Sequence, residues 1–422
     1  MIHVFKFGGA SVKDAAAVRN MTEIVRNHAN SPLIVVVSAM GKTTNAIEHI
    51  HKLRFEDKSF ENEFKQLVDF HQNMVTQLFG ESAIGAHALQ QQIEAFNRQL
   101  RKPCEGSFDE EYDSLIGYGE LFSTAIVEAY FQFQHIPSAW LDARNIIITD
   151  SRFRDARVDW QLSGRRLHSL RNELAAGNTC VIQGFIGSTT DGRSTSLGRE
   201  GSDFTASIMA YLLDAEAVTI WKDVPGMLNA DPKKFNDTVK LDRISFKEAI
   251  ELAYYGASVI HPKTIKPLQN KGIPLYIKSF IDPGAAGSVI QESTAFDHLV
   301  TCYIVKENQV LMSISTRDFS FIVEDNLKEI FETFSQLGIR IHLMENSAIS
   351  FSVVFDDDSL KNKELIQSLQ EKYVIKFNNN VVLLTIRHGS ENDANLLTST
   401  GTDILLEEKN RNTIRIVLKK NP

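Results

Sequence analysis

The sequence predicts an α/β protein built on a doubly wound, mainly parallel sheet, with a smaller α+β region after it. Three observations carry that expectation. First, short apolar runs followed by turn residues recur at Val4–Phe7, Leu33–Val37, Cys180–Ile182, Ala217–Trp221 and Leu275–Ile277. Runs that are apolar at consecutive positions fit strands buried on both faces, as in a parallel sheet. Second, Ala15–His28, Asp203–Leu213 and Ser245–Tyr255 repeat apolar residues at helical spacing between those runs. Strand and helix in alternation imply parallel strands joined by helical crossovers.

The third observation is a change of texture after about Ser293. Gln309–Ser315, Asn326–Leu337 and Arg340–Leu343 read as strand, helix and strand, and the same order returns in Ile349–Phe355, Ser359–Glu371 and Val381–Ile386. Two such units without glycine-rich loops fit a regulatory or dimerising region rather than a second active site. The expected division is therefore 1–293 and 294–422. Within the first part, about 45–111 is polar and rich in Gln and Glu, with Phe and Leu at helical spacing, and reads as a helical insertion. In the second part, Glu391–Ser399 is a short substitute for a helix before Ile404–Leu406 and Thr413–Leu418, so the last unit reads as shortened.

Composition narrows the function classes. With 422 residues, 43% hydrophobic and 23% charged, the chain can bury a large core. A formal net charge of −8 argues against a general nucleic-acid surface. Cys104, Cys180 and Cys302 are far apart and outside any metal or redox spacing, so neither a disulfide framework nor a zinc site is expected. No apolar stretch approaches the roughly 20 residues of a membrane helix, and the start lacks signal-peptide character. A cytoplasmic protein without membrane contact is expected.

Two glycine-rich turns stand at strand ends. Lys6-Phe7 runs into Gly8-Gly9-Ala10-Ser11 and then a helix. Such a turn brings backbone N–H groups close to phosphate oxygens, and Lys6 would add a charge beside a transferring group. A Gly-Gly turn is also an ordinary connection, so this signal does not stand alone. The second stretch runs from Gly184 to Asp203 and contains Leu197-Gly198-Arg199-Glu200-Gly201-Ser202-Asp203. Arg199 can grip a carboxylate through two parallel hydrogen bonds, and Asp203 can orient a lysine or a metal-bound water. The plain alternative is a solvated loop with a helix cap at Ser202 or Asp203. Two familiar nucleotide signatures are excluded. Gly41-Lys42-Thr43 lacks the first P-loop glycine, since position 36 is Val, and Gly117-Tyr118-Gly119 has Phe122 where a dinucleotide fingerprint needs its third glycine.

Read in order, Lys6-Phe7-Gly8-Gly9-Ala10-Ser11-Val12, Val35 to Met40, Gly119-Glu120, Leu197 to Asp203 and Asp223-Val224-Pro225-Gly226 resemble the aspartate kinase family of the amino acid kinase superfamily. The likeness continues through Ala230-Asp231-Pro232, Ile244-Ser245-Phe246, Glu251 to Ala257 and His261-Pro262, covering about the first 290 residues. The last part looks like the paired ferredoxin-like ACT domains of that family. The resemblance implies transfer of the ATP γ-phosphoryl group to the β-carboxylate of L-aspartate, a step toward lysine, threonine and methionine. It places Lys6, Gly8, Gly9 and Asp203 at the transfer. It places Ser38, Thr44, Glu120, Arg199 and Ser202 around the amino acid, with Arg199 on a carboxylate and Glu120 on the ammonium. Lys222, Asp223, Leu228, Lys233, Ser258 and Val259 fall at nucleotide positions. It also implies Mg2+ with ATP as co-substrate, a homodimer through the ACT region, and an amino-acid effector.

Departures from the family pattern accompany the match. Lys222-Asp223 stands where many relatives have Thr-Asp, Leu228 where they often have Tyr, Lys233 where Arg is frequent, and Ser258 where several carry Lys. Asn346-Ser347-Ala348 replaces a common Ser-Glu, which puts feedback by lysine in question. With no homoserine dehydrogenase region after it, the chain reads as monofunctional. Two other readings stay open: another amino-acid or carbamate kinase of the same fold, and a catalytically silent ACT-type sensor.

Overall fold

The computed structural model describes residues 1–28, 31–257, 260–318, 320–398 and 403–419. The chain forms two units, the first from residues 1–227, 240–250 and 259–294, the second from 228–239, 251–258 and 295–422. Two segments that precede residue 293 thus group with the second unit, a long-range association that no local pattern announces.

The first unit begins with β1 (His3–Phe7), a 3-10 turn at Gly9–Val12, α1 (Ala15–Arg26) and β2 (Leu33–Val37). Next come α2 (Thr43–Phe55), α3 (Glu61–Phe79), α4 (Ala83–Leu100), α5 (Phe108–Ile116), α6 (Tyr118–Phe133) and β3 (Ser138–Leu141). After α7 (Trp160–Arg165) and α8 (His168–Ala175), β4 (Thr179–Gln183) leads to the hairpin of β5 (Ile186–Ser188) and β6 (Ser194–Ser196). The remaining elements are α9 (Gly201–Leu213), β7 (Ala217–Lys222), β8 (Arg243–Ser245), α10 (Phe246–Tyr255), of which residues 251 onward group with the second unit, α11 (Pro262–Lys271), β9 (Leu275–Ser279) and β10 (Ser288–Gln291).

The main sheet has the order β3-β4-β2-β1-β7-β9-β10-β8. Neighbours run parallel except β9 and β10. The physical cause is plain in β2, whose Leu-Ile-Val-Val-Val is buried at every position and whose branched side chains pack well on a pleated surface. The chain winds outward from β1 in both directions, which makes the edge beside β1 a topological switch point. Register fixes what gathers there. Phe7 lies opposite Val37 and Trp221, and Val37 opposite Gln183. Four strands therefore end level, and the residues that follow them share one edge of the sheet.

The helices of the insertion are not a separate body. Leu67, Met74, Phe79, Leu89, Ile93, Phe96 and Leu100 join Phe5, Phe7, Val35, Val37 and Phe122 in one continuous core. His71 is sealed within it. Its Nδ1 donates to the Leu67 carbonyl at 2.8 Å, which leaves Nε2 to accept from the Thr43 hydroxyl at 3.4 Å. Burial pulls its pKa down to about 4, so the ring is neutral at pH 7.

The second unit holds β11 (Cys302–Thr316), α12 (Glu324–Gln336), β12 (Ile341–Asn346), β13 (Ser350–Asp356), α13 (Ser359–Leu369), β14 (Tyr373–Arg387), α14 (Glu391–Thr398), β15 (Ile404–Lys409) and β16 (Thr413–Lys419). Its sheet, in the order β12-β13-β11-β14-β16-β15, is antiparallel throughout. The strand-helix-strand repeats interleave, since β11 sits between β13 and β14. β11 and β14 are each 15 residues long and pair along most of their length, with register shifts between Lys306 and Leu311. One continuous sheet therefore serves both repeats. The last repeat keeps an 8-residue helix, α14.

Candidate active site

Beyond the level strand ends of the first unit lies a cavity of about 550 Å³. At its floor, Lys6 Nζ meets Asp203 Oδ1 at 2.6 Å, and Lys222 Nζ lies 3.5 Å from Asp203 Oδ2. Lys6 comes from the carboxyl half of β1, Lys222 from the last position of β7, and Asp203 from the first turn of α9. Asp203 is only 2% exposed. Burial would raise its pKa, but the two lysine charges more than reverse this and hold the carboxyl below its ordinary value. Two cations sharing one carboxylate leave a net positive charge directed at the cavity, the arrangement that a phosphoryl group in transfer requires.

The glycine turn confines this centre. A Cβ on Gly8 would lie 3.3 Å from Lys6 Nζ, and one on Gly9 would press to 2.9 Å from the Ala39 carbonyl. Only glycine lets the loop after β1 pass so close to the loop after β2, whose Gly41 N–H donates to the Gly9 carbonyl at 3.2 Å. Neither Ser202 nor Asp203 caps α9. The cap position is Glu200, in the left-handed region at φ 54°, without a side-chain cap bond. That frees both side chains of the first turn for the cavity.

Across from the lysines stands Glu120, from the first turn of α6 and 3% exposed. Its Oε1 accepts from the Ala39 N–H at 3.3 Å, and its Oε2 has no hydrogen-bond partner among the described residues. Burial pushes its pKa up to about 8, against the opposing pull of the Ala39 N–H and the Lys6 charge. Ser38, Thr44, Arg199 and Ser202 line the same cavity. Nearly all the residues expected at the transfer and at the amino acid are therefore brought together, from segments up to two hundred residues apart.

The nucleotide positions are less gathered. Lys222 reaches this cavity. Asp223 is exposed and does not line it, Leu228 and Lys233 belong to the second unit, and Ser258 and Val259 lie outside the described residues. Sequence reasoning also passed over two wall residues that the structure supplies, Tyr112 and Arg154, and gave no role to Phe185 and Ser196 within the second glycine-rich stretch. Tyr112 sits in α5, just past the insertion, and Arg154 in a loop without a glycine-rich motif, so no local signal marks them.

Residues 1–279 match the Amino acid kinase family. Lysine-sensitive aspartokinase 3 of Escherichia coli (strain K12) is 30% identical over 383 residues, which cover 87% of this chain and 83% of that protein. The chloroplastic bifunctional aspartokinase/homoserine dehydrogenase of Daucus carota is 28% identical over 88% of this chain, which spans 42% of that longer protein. Crystal structures of E. coli aspartokinase III, one with aspartate and ADP and one with lysine and aspartate, each superpose with a TM-score of 0.81 at 25% identity. Both cover 99% of this chain and 96% of that chain.

Proposed function

We propose a division of labour in this cavity from one premise: the chain belongs to the amino acid kinase family and, within it, to the aspartokinases. It is an ATP-dependent aspartate kinase, moving the γ-phosphoryl group of ATP to the β-carboxylate of L-aspartate and releasing 4-phospho-L-aspartate and ADP. The observation that carries the assignment is the carboxylate of Asp203 shared by Lys6 and Lys222. Lys6, helped by the Gly8 and Gly9 backbone, stabilises charge on the transferring group, and Lys222 does so from the nucleotide side with Asp223 next to it. Asp203 orients both lysines. The nucleophile is a carboxylate already ionised at neutral pH, so no general base is needed. Arg199 pairs with the α-carboxylate, Glu120 accepts from the ammonium, and Ser38, Thr44 and Ser202 supply the remaining hydrogen bonds.

Magnesium enters this scheme with the nucleotide, as MgATP. Both oxygens of Asp203 are engaged by lysines and Glu120 is taken by the acceptor's ammonium, so the phosphates and water are left to hold the ion. The test traps the acyl phosphate with hydroxylamine, using the full chain, MgATP and a panel of aspartate, glutamate or no acceptor. A hydroxamate formed with aspartate alone is expected. Folded, nucleotide-binding protein that yields none with any acceptor would instead be the silent sensor.

The second unit is assigned to self-association and effector binding. Phe321, Met344 and Phe377 are exposed there, and β12 forms a sheet edge with open backbone groups. The lysine complex of the E. coli enzyme supports an amino-acid effector. Sedimentation at micromolar concentration is expected to give a dimer; a monomer would remove the assignment, and titrating activity with lysine, threonine and methionine tests the effector. Among the described residues Cys104, Cys180 and Cys302 form no disulfide, which fits the reducing cytoplasm where we place the protein. Among the described residues, no helix is long and apolar enough to cross a membrane.

A further inference from the structure

The cavity wall carries a second guanidinium that the scheme above leaves idle. Arg154 lines the cavity beside the loop that bears Arg199. The closeness is one of backbone: a Cβ on Gly198, whose φ of +75° is already in the left-handed region, would lie 3.2 Å from the Arg154 carbonyl oxygen. Gly198 immediately precedes Arg199, so the two arginines rise from neighbouring backbone.

Arg154 is held there at a cost. Its own φ is +68°, which for a residue with a Cβ costs on the order of 1 kcal/mol. Asp113, 1% exposed, secures the conformation. Its Oδ2 accepts from the N–H of Arg154 at 2.9 Å and from that of Ser196 at 2.8 Å, while Oδ1 accepts from the Ser196 hydroxyl at 2.6 Å. The guanidinium lies 4.5 Å from the centroid of the Tyr112 ring, and the Tyr112 hydroxyl is fixed by donating to Glu48 at 2.7 Å. Among the described residues the guanidinium pairs with one carboxylate, Asp109 at 3.3 Å, and both side chains are about half exposed. Such a pair contributes little and exchanges readily for a better-placed anion.

A backbone strain maintained by a buried carboxylate, and a cation aligned on an aromatic face, set the half-exposed Arg154 side chain at the cavity wall. Transfer requires the acceptor's β-carboxylate to sit at Lys6. The anion left for the wall of Arg154 and Arg199 is therefore the acceptor's other carboxylate. Resting on the aspartate kinase reading, we propose that Arg154 is a specificity-determining residue that joins Arg199 in holding the acceptor's α-carboxylate. Tyr112 and Asp113 are its positioning residues, and Asp109 holds it in reserve until the acceptor arrives.

The test is steady-state kinetics on the full chain with two acceptors, aspartate and its α-amide, in which the α-carboxylate charge is removed. Arg154→Ala is expected to raise the aspartate KM about tenfold, the value of one exposed charge-assisted contact. The KM for the α-amide, the KM for MgATP and kcat should stay within about twofold. Arg154→Lys should recover part of the loss, and Asp109→Asn should lower the aspartate KM by freeing the guanidinium. Equal losses with both acceptors would mean a structural role, and a rise confined to MgATP would place Arg154 on the phosphates; either overturns the proposal. A wild-type protein without aspartate-dependent turnover sinks this reading and the one beneath it. Wild-type turnover with an unchanged aspartate KM in Arg154→Ala sinks this one alone.

Discussion

Lys6→Ala is expected to lower kcat by about 10³-fold while the protein remains folded, since one preorganised donor at a developing charge is worth that order. The structure refines what should accompany the loss. Lys6 is buried, and its removal leaves Asp203 with Lys222 as its remaining cation at 3.5 Å. Breaking a buried ion pair from one side costs about 3 kcal/mol, so the melting temperature should fall by several degrees. Asp203→Asn should lose turnover similarly, but for another reason. It removes the anion that holds two lysines together, and their mutual repulsion should splay them away from the phosphoryl path. Circular dichroism melts separate the two effects from unfolding. A folded Lys6→Ala protein that keeps kcat within tenfold of wild type would move the transfer centre elsewhere.

Glu120 should control how tightly aspartate binds and how that tightness varies with pH. Its carboxyl, raised to about 8, is mostly protonated at pH 7, yet it must be ionised to accept from an ammonium. Each pH unit below 8 therefore requires a deprotonation worth about 1.4 kcal/mol, a tenfold loss of affinity. The aspartate KM should fall roughly tenfold per unit from pH 6 to 8 and then level, with one proton released on binding. Glu120→Gln should raise the KM about 100-fold at pH 8 and flatten this dependence, because a neutral amide forfeits a charge-assisted bond. The sign for stability is opposite. Between about pH 4.5 and 8 the unfolded chain loses this proton while the ligand-free folded chain keeps it, so rising pH removes the stability the group contributes. A wild-type KM that is level from pH 6 to 8, or an unaltered KM in Glu120→Gln, would take Glu120 out of the ammonium site.

The parts of this site that were legible in the sequence share a property: each is written within a few consecutive residues. The Gly8-Gly9 turn, the run from Leu197 to Asp203 and the pair Gly119-Glu120 sit directly after or before a strand or helix that its own apolar pattern defines. The missing parts are those that depend on distant partners. Tyr112 and Arg154 lie in polar stretches, and long-range bonds, those of Asp113 to Arg154 and to Ser196 and that of Tyr112 to Glu48, draw them to the cavity wall. The short strands β3, β5, β6, β8 and β10 were missed for a related reason. Each spans three or four residues, too few for a period to show.

By itself, the sequence determined the alternation of buried strands and amphipathic helices, the glycine turns at strand ends, the textural break near residue 293 and the presence of Lys6, Asp203, Glu120 and Arg199 in family order. These follow from local preference and spacing, which act along the chain. The tertiary structure decided that Lys222 shares Asp203 with Lys6, that the helical insertion packs into the main core, that residues 228–239 and 251–258 group with the second unit, and that Glu120 holds its proton near neutrality. Those are matters of burial and of charge at a few ångströms. Neither quantity exists until segments far apart in sequence have been brought together and water has been removed from between them.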